Sequence, residues 1–495
     1  MCFKFYTCGM KREKFIILVV ILSFCFFTPF FGAENVEGLL SGYLKNSLDL
    51  QSLVGKTQKA ILENQLTGIN YGFSFELSTG TITVTTGDDG SVQFTPKAQA
   101  SIPQLNNLSV SASSKVLFDS NDSNSTVSNT SISLSADIIS NNSKKREISL
   151  LKSERSVLTA KRNLQNGFIS AEKSFYTELK NLYNMKSQLL TAQQDVYDSQ
   201  LSFEQVRVQG YSTSSTKYRT AQLKVKSDQN TAESKKRDFE REVKIFAAKC
   251  GVEYNYSDPS DFLPTSIPTV EALDVKSFDQ ESYTKIESAK WTQYINELER
   301  SADSAITLSA NAGMTFNYND MDYNTINVGS DFTWNNTGLK LSAGANIPVG
   351  TDSRTPVLTM GVSIDPNAFR KAKINPQIEE IDVQQEQMEI IKAQEDYYTT
   401  VISQESSLQN LLWEKQSVAE FYDMYSKLAS DMAGYYRQGI ITESEYRKNL
   451  GNKQSYEIKS LVNAIDLIVY NDNTQLLFCP EIEDLDLEAI GGENE

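Results

Sequence analysis

Gln209-Gly210-Tyr211-Ser212-Thr213-Ser214-Ser215 and Gln438-Gly439-Ile440-Ile441-Thr442-Glu443-Ser444 share the pattern Gln-Gly-x-x-Thr-x-Ser at one displacement. The same displacement carries Cys250 onto Cys479. It also aligns two seven-spaced ladders: Phe168, Phe175, Leu182, Leu189, Val196, Phe203 against Tyr397, Gln404, Leu411, Val418, Tyr425, Met432. Motif, cysteine and heptad phase in common register point to a tandem duplication. A seven-residue apolar repeat keeps its seam against neighbours only if the helices supercoil left-handedly. From Ser143 to Gly210 one helix would run about 100 Å at 1.5 Å per residue. Periodicity alone fits a plain coiled-coil stalk equally well. Gly210 and Gly439 interrupt it, however, and each is followed by Thr and Ser that cap helices. Both glycines therefore read as tight helix-to-helix reversals.

Outward from these motifs the chain changes character in a repeating order. Val36 to Gln65 is helical in pattern, and Ile69 to about Ile139 is rich in Ser, Thr, Asn and β-formers. Asn142 to about Gly251 lacks proline and reads as long helix. Tyr254 to Pro268, with three prolines, is a linker or a short packed segment. Helix is expected again from about Val270 to Arg300, strands from Ile306 to Ile364, and long helix from Pro376 to about Leu477. The domains are thus a first repeat over 34–251, a linker over 252–269, a second repeat over 270–478 and an acidic tail over 479–495.

The strand regions alternate. Ile306, Leu308, Ala310, Ala312, Met314, Phe316 and Tyr318 are interleaved with Thr307, Ser309, Asn311, Gly313, Thr315 and Asn317. Leu339 to Ile347 and Leu358 to Ile364 continue in this style, and Ile69, Tyr71, Phe73, Phe75 and Leu77 give a first-half counterpart. A lipid-facing barrel wall needs this period, with aromatics near the interfaces, where Tyr318, Phe332 and Trp334 would fit. A soluble sandwich alternates too. Three or four β segments per half cannot close a barrel alone, and an open edge is forbidden in lipid, so closure would come from oligomerisation.

Composition excludes several classes. The 495 residues contain no histidine, which removes Ser-His-Asp and Cys-His chemistry and imidazole metal sites. A net charge of −16 argues against a nucleic-acid partner. No constellation for catalysis or for a cofactor stands out. Lys11, Arg12 and Lys14 precede an apolar run from Phe15 to Phe31, so residues 1–33 read as a secretory signal, with a membrane anchor as the alternative. Beyond that run lie two cysteines, Cys250 and Cys479, either bridged or separately buried.

With this order in hand, the chain resembles the TolC-like outer-membrane efflux proteins over nearly its whole length. The resemblance rests on the duplicated series of helix, strands, long helix, reversal and return helix, and on Tyr436-Arg437-Gln438-Gly439-Ile440-Ile441-Thr442-Glu443-Ser444-Glu445. It implies a mixed fold, in which a long coiled-coil α-helical barrel joins a transmembrane β-barrel completed by trimerisation. It further implies a passive, non-enzymatic conduit across periplasm and outer membrane. That conduit would work with a periplasmic adaptor and an inner-membrane transporter, in a tripartite efflux pump or a type I secretion system. By the same resemblance Tyr436 stands at the gate tyrosine and Glu445 at an aperture acid. Lys448 replaces a second aperture acid, and Thr216 replaces the acid that often bonds the tyrosine. Gln209, Gly210, Thr213, Ser215, Gln438, Gly439, Thr442 and Ser444 would form the adaptor-contacting tips. The family contributes two strands per half, fewer than expected here. A trimeric coiled-coil adhesin is the competing reading, and it would carry one terminal β unit.

Overall fold

The computed structural model describes residues 35–85, 91–119, 125–303, 306–317, 324–349 and 354–482. The segment 1–33 expected to be a signal, Tyr318 and most of the acidic tail lie outside these residues. Two compact units form, and each draws on both halves of the sequence. A sheet unit comprises Gly55–Lys161 and Thr284–Asp396; a helical unit takes the described residues up to Val54, Arg162–Tyr283, and those from Tyr397 on.

Helices α1 (Val36–Lys45) and α2 (Leu48–Asn70) divide the first predicted helix. Ser47 causes the break, its hydroxyl accepting from the Leu50 backbone as a new N-cap. Among the described residues ten β segments follow, in two groups. The first holds β1 (Ser74–Ser78), β2 (Ile82–Thr85), β3 (Ser91–Phe94), β4 (Lys97–Ile102), β5 (Leu108–Asp119) and β6 (Ser125–Ile139). The second holds β7 (Ile306–Asn317), β8 (Thr325–Trp334), β9 (Leu339–Pro348) and β10 (Val357–Ile364). Long helices α3 (Asn142–Val208) and α4 (Thr216–Lys249) close the first series; α5 (Thr284–Ala302) precedes β7, and α6 (Pro366–Arg437) and α7 (Glu443–Leu476) close the second.

Three boundaries differ from the sequence reading, each for a local reason. Ile69 belongs to α2, and Tyr71 lies in the turn that ends it, so the first strand begins only at Ser74. Val270–Tyr283 is not helix. Asp274 and Asp279 turn their carboxylates onto the backbone N–H groups of Lys276 and Glu281, which competes with helix and leaves two short 3-10 turns. Helix α6 starts ten residues before Pro376, because Asp365 caps it and Pro366 fills the first helical position. Pro376 is accommodated inside.

In the sheet unit the strand order is β1-β4-β5-β6-β7-β8-β9-β10, antiparallel at every pair. Segment β2 pairs β3, and β3 pairs the far end of β5, so β1–β2 and β3–β4 are two long strands, each broken once. At one break Gly80 sits at φ +62°, and a Cβ there would lie 2.1 Å from the Thr95 carbonyl oxygen. Among the described residues the sheet is therefore eight strands wide, four from each half of the sequence. Beside it Arg155 grips Glu287 and lies 5.0 Å over the Trp291 ring, tying α3 to α5. Arg300 holds Glu386 through two 2.8 Å hydrogen bonds, tying α5 to α6.

The helical unit has the larger core. Phe175, Leu179, Leu182 and Tyr183 of α3 pack with Phe239, Val243 and Phe246 of α4 and with Ile465 and Ile468 of α7. Phe262, Leu263 and Ile267 join them, so the proline-bearing linker is a packed segment. The ladder residues Phe175, Leu182 and Leu189 are buried as the heptads require. Cys250 is buried and Cys479 half-buried, and the two are not bridged to each other.

Candidate functional site

Strand register in the sheet unit sorts side chains onto two chemically distinct faces. One row crosses all eight strands as Phe75, Ala100, Val110, Leu134, Ala312, Val328, Ala345 and Leu358. A neighbouring row runs Leu77, Ala98, Ala112, Ile132, Met314, Ile326 and Ile347. Next to the first row, on the opposite face, lies Ser74, Ser101, Ser109, Ser135, Asn311, Gly329, Gly344 and Thr359. Strand alternation produces both faces from one sequence pattern. The polar face bonds to itself: Ser109 to Ser135 at 2.9 Å, Ser111 to Ser133 at 2.7 Å and Ser113 to Ser131 at 2.8 Å. The apolar face carries exposed Val110, Ile132, Leu134, Val328, Leu341, Leu358 and Met360. A soluble sheet buries such a face; this one offers a broad apolar surface to its surroundings.

The polypeptide enters and leaves the helices at one end of this sheet. Helices α2 and α5 lead into β1 and β7, β6 and β10 lead out into α3 and α6, and the described hairpin turns 103–107 and 335–338 lie at that same end. Trp334 ends β8 there, and Phe332 pairs Leu308 and Leu341 on the apolar face.

The reversals belong to the helical unit. Gly210 has φ +74° and Gly439 φ +71°, a region that glycine enters freely. Ile440 donates its backbone N–H to the Tyr435 carbonyl and Gly439 donates to that of Tyr436, closing α6 in a Schellman motif. Gln209 accepts from Lys217, whose ammonium also lies 4.2 Å from the Tyr211 ring centroid. The two turns then part company. Ser215 caps α4, accepting from the Tyr218 N–H, whereas Thr442 caps α7, accepting from the Glu445 N–H. Thr213 and Ser444 are not the capping residues. Glu445 answers Thr442 by accepting from its N–H at 2.9 Å and its hydroxyl at 2.8 Å. These bonds hold the Glu445 carboxyl below the usual carboxylate range. Lys448 is exposed, and Tyr436 stacks face to face on Tyr446 at 5.2 Å.

Just behind the turns, α3 meets α7. Ser444 donates to Asp198 at 3.2 Å, and Arg447 lies 4.5 Å over the Tyr197 ring while donating to Glu443 at 2.8 Å. Partial burial, then the charge of Glu443, raises the Tyr197 phenol above its ordinary value. Sequence reasoning missed Tyr197, Asp198 and Arg447. Their only linear signal is the one-turn spacing of Ser444 and Arg447; which helix they meet depends on tertiary packing.

Residues 39–268 match the TP096X N-terminal domain, and residues 268–481 match the TP096X C-terminal domain. No curated protein matches the sequence. Among solved structures, the chain is similar to the outer membrane protein VceC of Vibrio cholerae at 12% identity and TM-score 0.46, covering 89% of this chain and 95% of that one. It is similar to a membrane protein from Pseudomonas aeruginosa at 12% identity and TM-score 0.47, covering 92% and 93%. It is also similar to the open state of the Neisseria gonorrhoeae MtrE outer membrane channel, at 14% identity and TM-score 0.44, covering 89% and 88%.

Proposed function

We propose that this chain, two TP096X domains in tandem, is a TolC-like outer-membrane channel: a passive, homotrimeric conduit. The observation that carries this reading is the two-faced sheet. An apolar row unbroken across eight strands, backed by a row of Ser, Asn, Gly and Thr, fits a wall with lipid on one side and water on the other. The sheet's helices all attach at one end, which suits a barrel in the outer membrane whose helices extend into the periplasm. The recurring element order and the paired glycine motifs support an internal duplication.

In this reading the reversals at Gly210 and Gly439 are tips that meet a periplasmic adaptor, and the energy comes from an inner-membrane transporter. Tripartite efflux and type I secretion are both open to such a channel. The gate is held by the α3–α7 link. While Asp198 accepts from Ser444 and Arg447 covers Tyr197, the second hairpin cannot swing from the first at its tip. Adaptor contact at the tips would part this link and widen the passage. Glu445 serves first as a cap; three copies around an axis would also gather three such carboxylates near Lys448.

Fractionation and planar-bilayer recording test the reading together. The protein should sediment with outer membranes and give discrete conductance steps after detergent extraction. Arg447→Ala combined with Asp198→Ala should lengthen the open time. A chain that stays in the soluble fraction, or inserts without conducting, ends the proposal.

A further inference from the structure

The two reversals occupy equivalent places in the chain, but the charge around them differs. From Gln205 to Ser227 the first hairpin carries five Lys or Arg residues and no Asp or Glu, in a chain of net charge −16. The same window one repeat later, Gly434 to Tyr456, carries Glu443 and Glu445 among its four cations. Three of the five cations of the first hairpin are engaged. Arg207 donates to Glu204 at 2.6 Å, Lys224 to Asp228 at 2.6 Å, and Lys217 to Gln209 and Tyr211. Arg219 and Lys226 are exposed on α4 and form no ion pair among the described residues.

Helix geometry puts those two on one stripe. Arg219, Leu223, Lys226 and Asn230 step by four, three and four residues, so they follow a single seam along α4. All four are exposed, Leu223 by 70%. The seam that α4 uses within its own hairpin lies on the other side. Tyr218, Ala221, Val225 and Asp228 turn inward there, with the Tyr218 ring edge-on to Phe203 at 5.1 Å. Helix α4 therefore has two seams; the inner one is filled, and the outer one is open among the described residues. In α7 the duplicated positions are Lys448, Asn452, Ser455 and Lys459, so Leu223 has no aliphatic counterpart, and Asn452 and Ser455 are half-buried.

We infer that the outer seam of α4 docks an acidic helix of the periplasmic adaptor, one helix per chain. This rests on the channel reading above and gives its partner a chemistry. From Arg219 to Asn230 the stripe runs about 16 Å along the helix axis, which suits a second helix lying alongside. Leu223 at its centre supplies the apolar knob for such a seam. The unpaired cations flanking that knob favour carboxylates opposite and repel a basic helix. On a chain of negative net charge, a local positive patch also steers an acidic partner to this hairpin and away from the rest of the surface.

The test titrates the full-length protein, extracted in detergent, with a defined probe. The probe is a synthetic amphipathic helix with Leu along its seam and Glu on both flanks; its twin carries Lys in place of Glu. The Glu helix should bind at one per chain, more weakly as salt rises, and the Lys helix should not bind. Arg219→Glu with Lys226→Glu should reverse the order, with a loss of about tenfold or more for the Glu helix and binding gained by the Lys helix. Leu223→Ala should weaken the Glu helix with every charge intact, which guards against a reversal variant that misfolds. Lys459→Glu, at the α7 position that repeats Asn230, should leave both titrations unchanged. Equal binding of the two helices, or a Glu-helix affinity indifferent to the double reversal, overturns the inference; bilayer conductance in the same preparation leaves the channel reading standing. Phosphatidylglycerol vesicles that bind through Arg219 and Lys226 while the Glu helix does not would assign the stripe to lipid headgroups and overturn it too. A double variant that sediments as single chains would assign the stripe to a contact between copies, with the same consequence. If the protein is absent from the outer membrane, the channel reading and the adaptor both fall.

Discussion

The first hairpin, α3–α4, and the second, α6–α7, occupy equivalent places in the chain and divide the work unequally. In the helical unit α3 and α4 give the core its largest buried side chains, among them Phe175, Tyr183, Phe239 and Phe246. Helix α7 joins that core through Ile465 and Ile468, but α6 leaves Ile402, Trp413, Phe421, Met424 and Leu428 exposed. A heptad pattern therefore does not say whether its seam is filled within the chain. The first hairpin supplies most of the core, and the second leaves more of its apolar surface exposed.

Truncation separates the two roles most sharply. Phe175→Ala or Phe246→Ala should cost about 3–5 kcal/mol in thermal or denaturant unfolding, because each empties a site with no solvent access. Trp413→Ala, at a residue 73% exposed, should change chain stability by under about 0.5 kcal/mol and instead weaken the oligomer in sedimentation. Equal losses at both places would erase the contrast between hairpins.

Where the hairpins meet, pH is the probe. Asp472 of α7 is buried beside Glu172 of α3; burial, then that like charge, pushes its carboxyl up to about 8, with Lys173 opposing. The folded state thus holds a proton that the unfolded chain releases near the ordinary aspartate value. Stability from this group is complete in acid and is lost as pH rises between about 4 and 8. Asp472→Asn should flatten that decline and raise stability at pH 8 by about 1 kcal/mol or more. A wild-type melting curve indifferent to pH over that window would place the carboxylate in water.

At the reversals the two hairpins should respond alike to one change and differently to another. A Cβ at Gly210 or Gly439 meets nothing within 4 Å, so Gly→Ala at each should cost only the left-handed penalty, about 1 kcal/mol. Ser215→Ala should cost about 1 kcal/mol or less, while Thr442→Ala removes the cap and also the hydroxyl bond to Glu445, leaving that carboxylate the backbone N–H alone, and should cost more, as read by hydrogen exchange in the first turns of α4 and α7. Equal protection losses would mean that the reciprocal cap adds nothing. The smallest effect is on ion selectivity: mild cation preference in bilayers should fall in Glu445→Gln and rise in Lys448→Asp, as expected for charges at a constriction. No change in either variant would put both residues away from the passage.

Much of this was legible in the residues themselves. The alternation from Ile306 to Ile364 identified the second strand group, and Gly210 and Gly439 marked both reversals, because period and left-handed backbone are local properties. Asp365-Pro366 carried a readable helix start that Pro376 obscured. What linear reading could not supply were contacts set by packing. Neither the meeting of Tyr197 and Asp198 with Ser444 and Arg447, nor the way strand breaks at Gly80 and Pro96 splice six first-half segments into four strands, follows from any one stretch. Glu445 is a different case: the family resemblance marks its carboxylate as an aperture charge, while Thr442-Glu443-Ser444-Glu445 is itself a capping-box pattern, and the structure shows its bonds to Thr442.

The serines of β5 and β6 bear on how a cargo would travel. Three hydroxyl pairs, Ser109–Ser135, Ser111–Ser133 and Ser113–Ser131, are engaged with each other across the strands. Each pair shares one hydrogen bond, so one O–H per pair stays free to donate, while the short side chains have little freedom to wrap around a solute. Were this face to line a passage, as proposed above, β5 and β6 would present a solute with short hydroxyls tethered to one another rather than with long, mobile side chains.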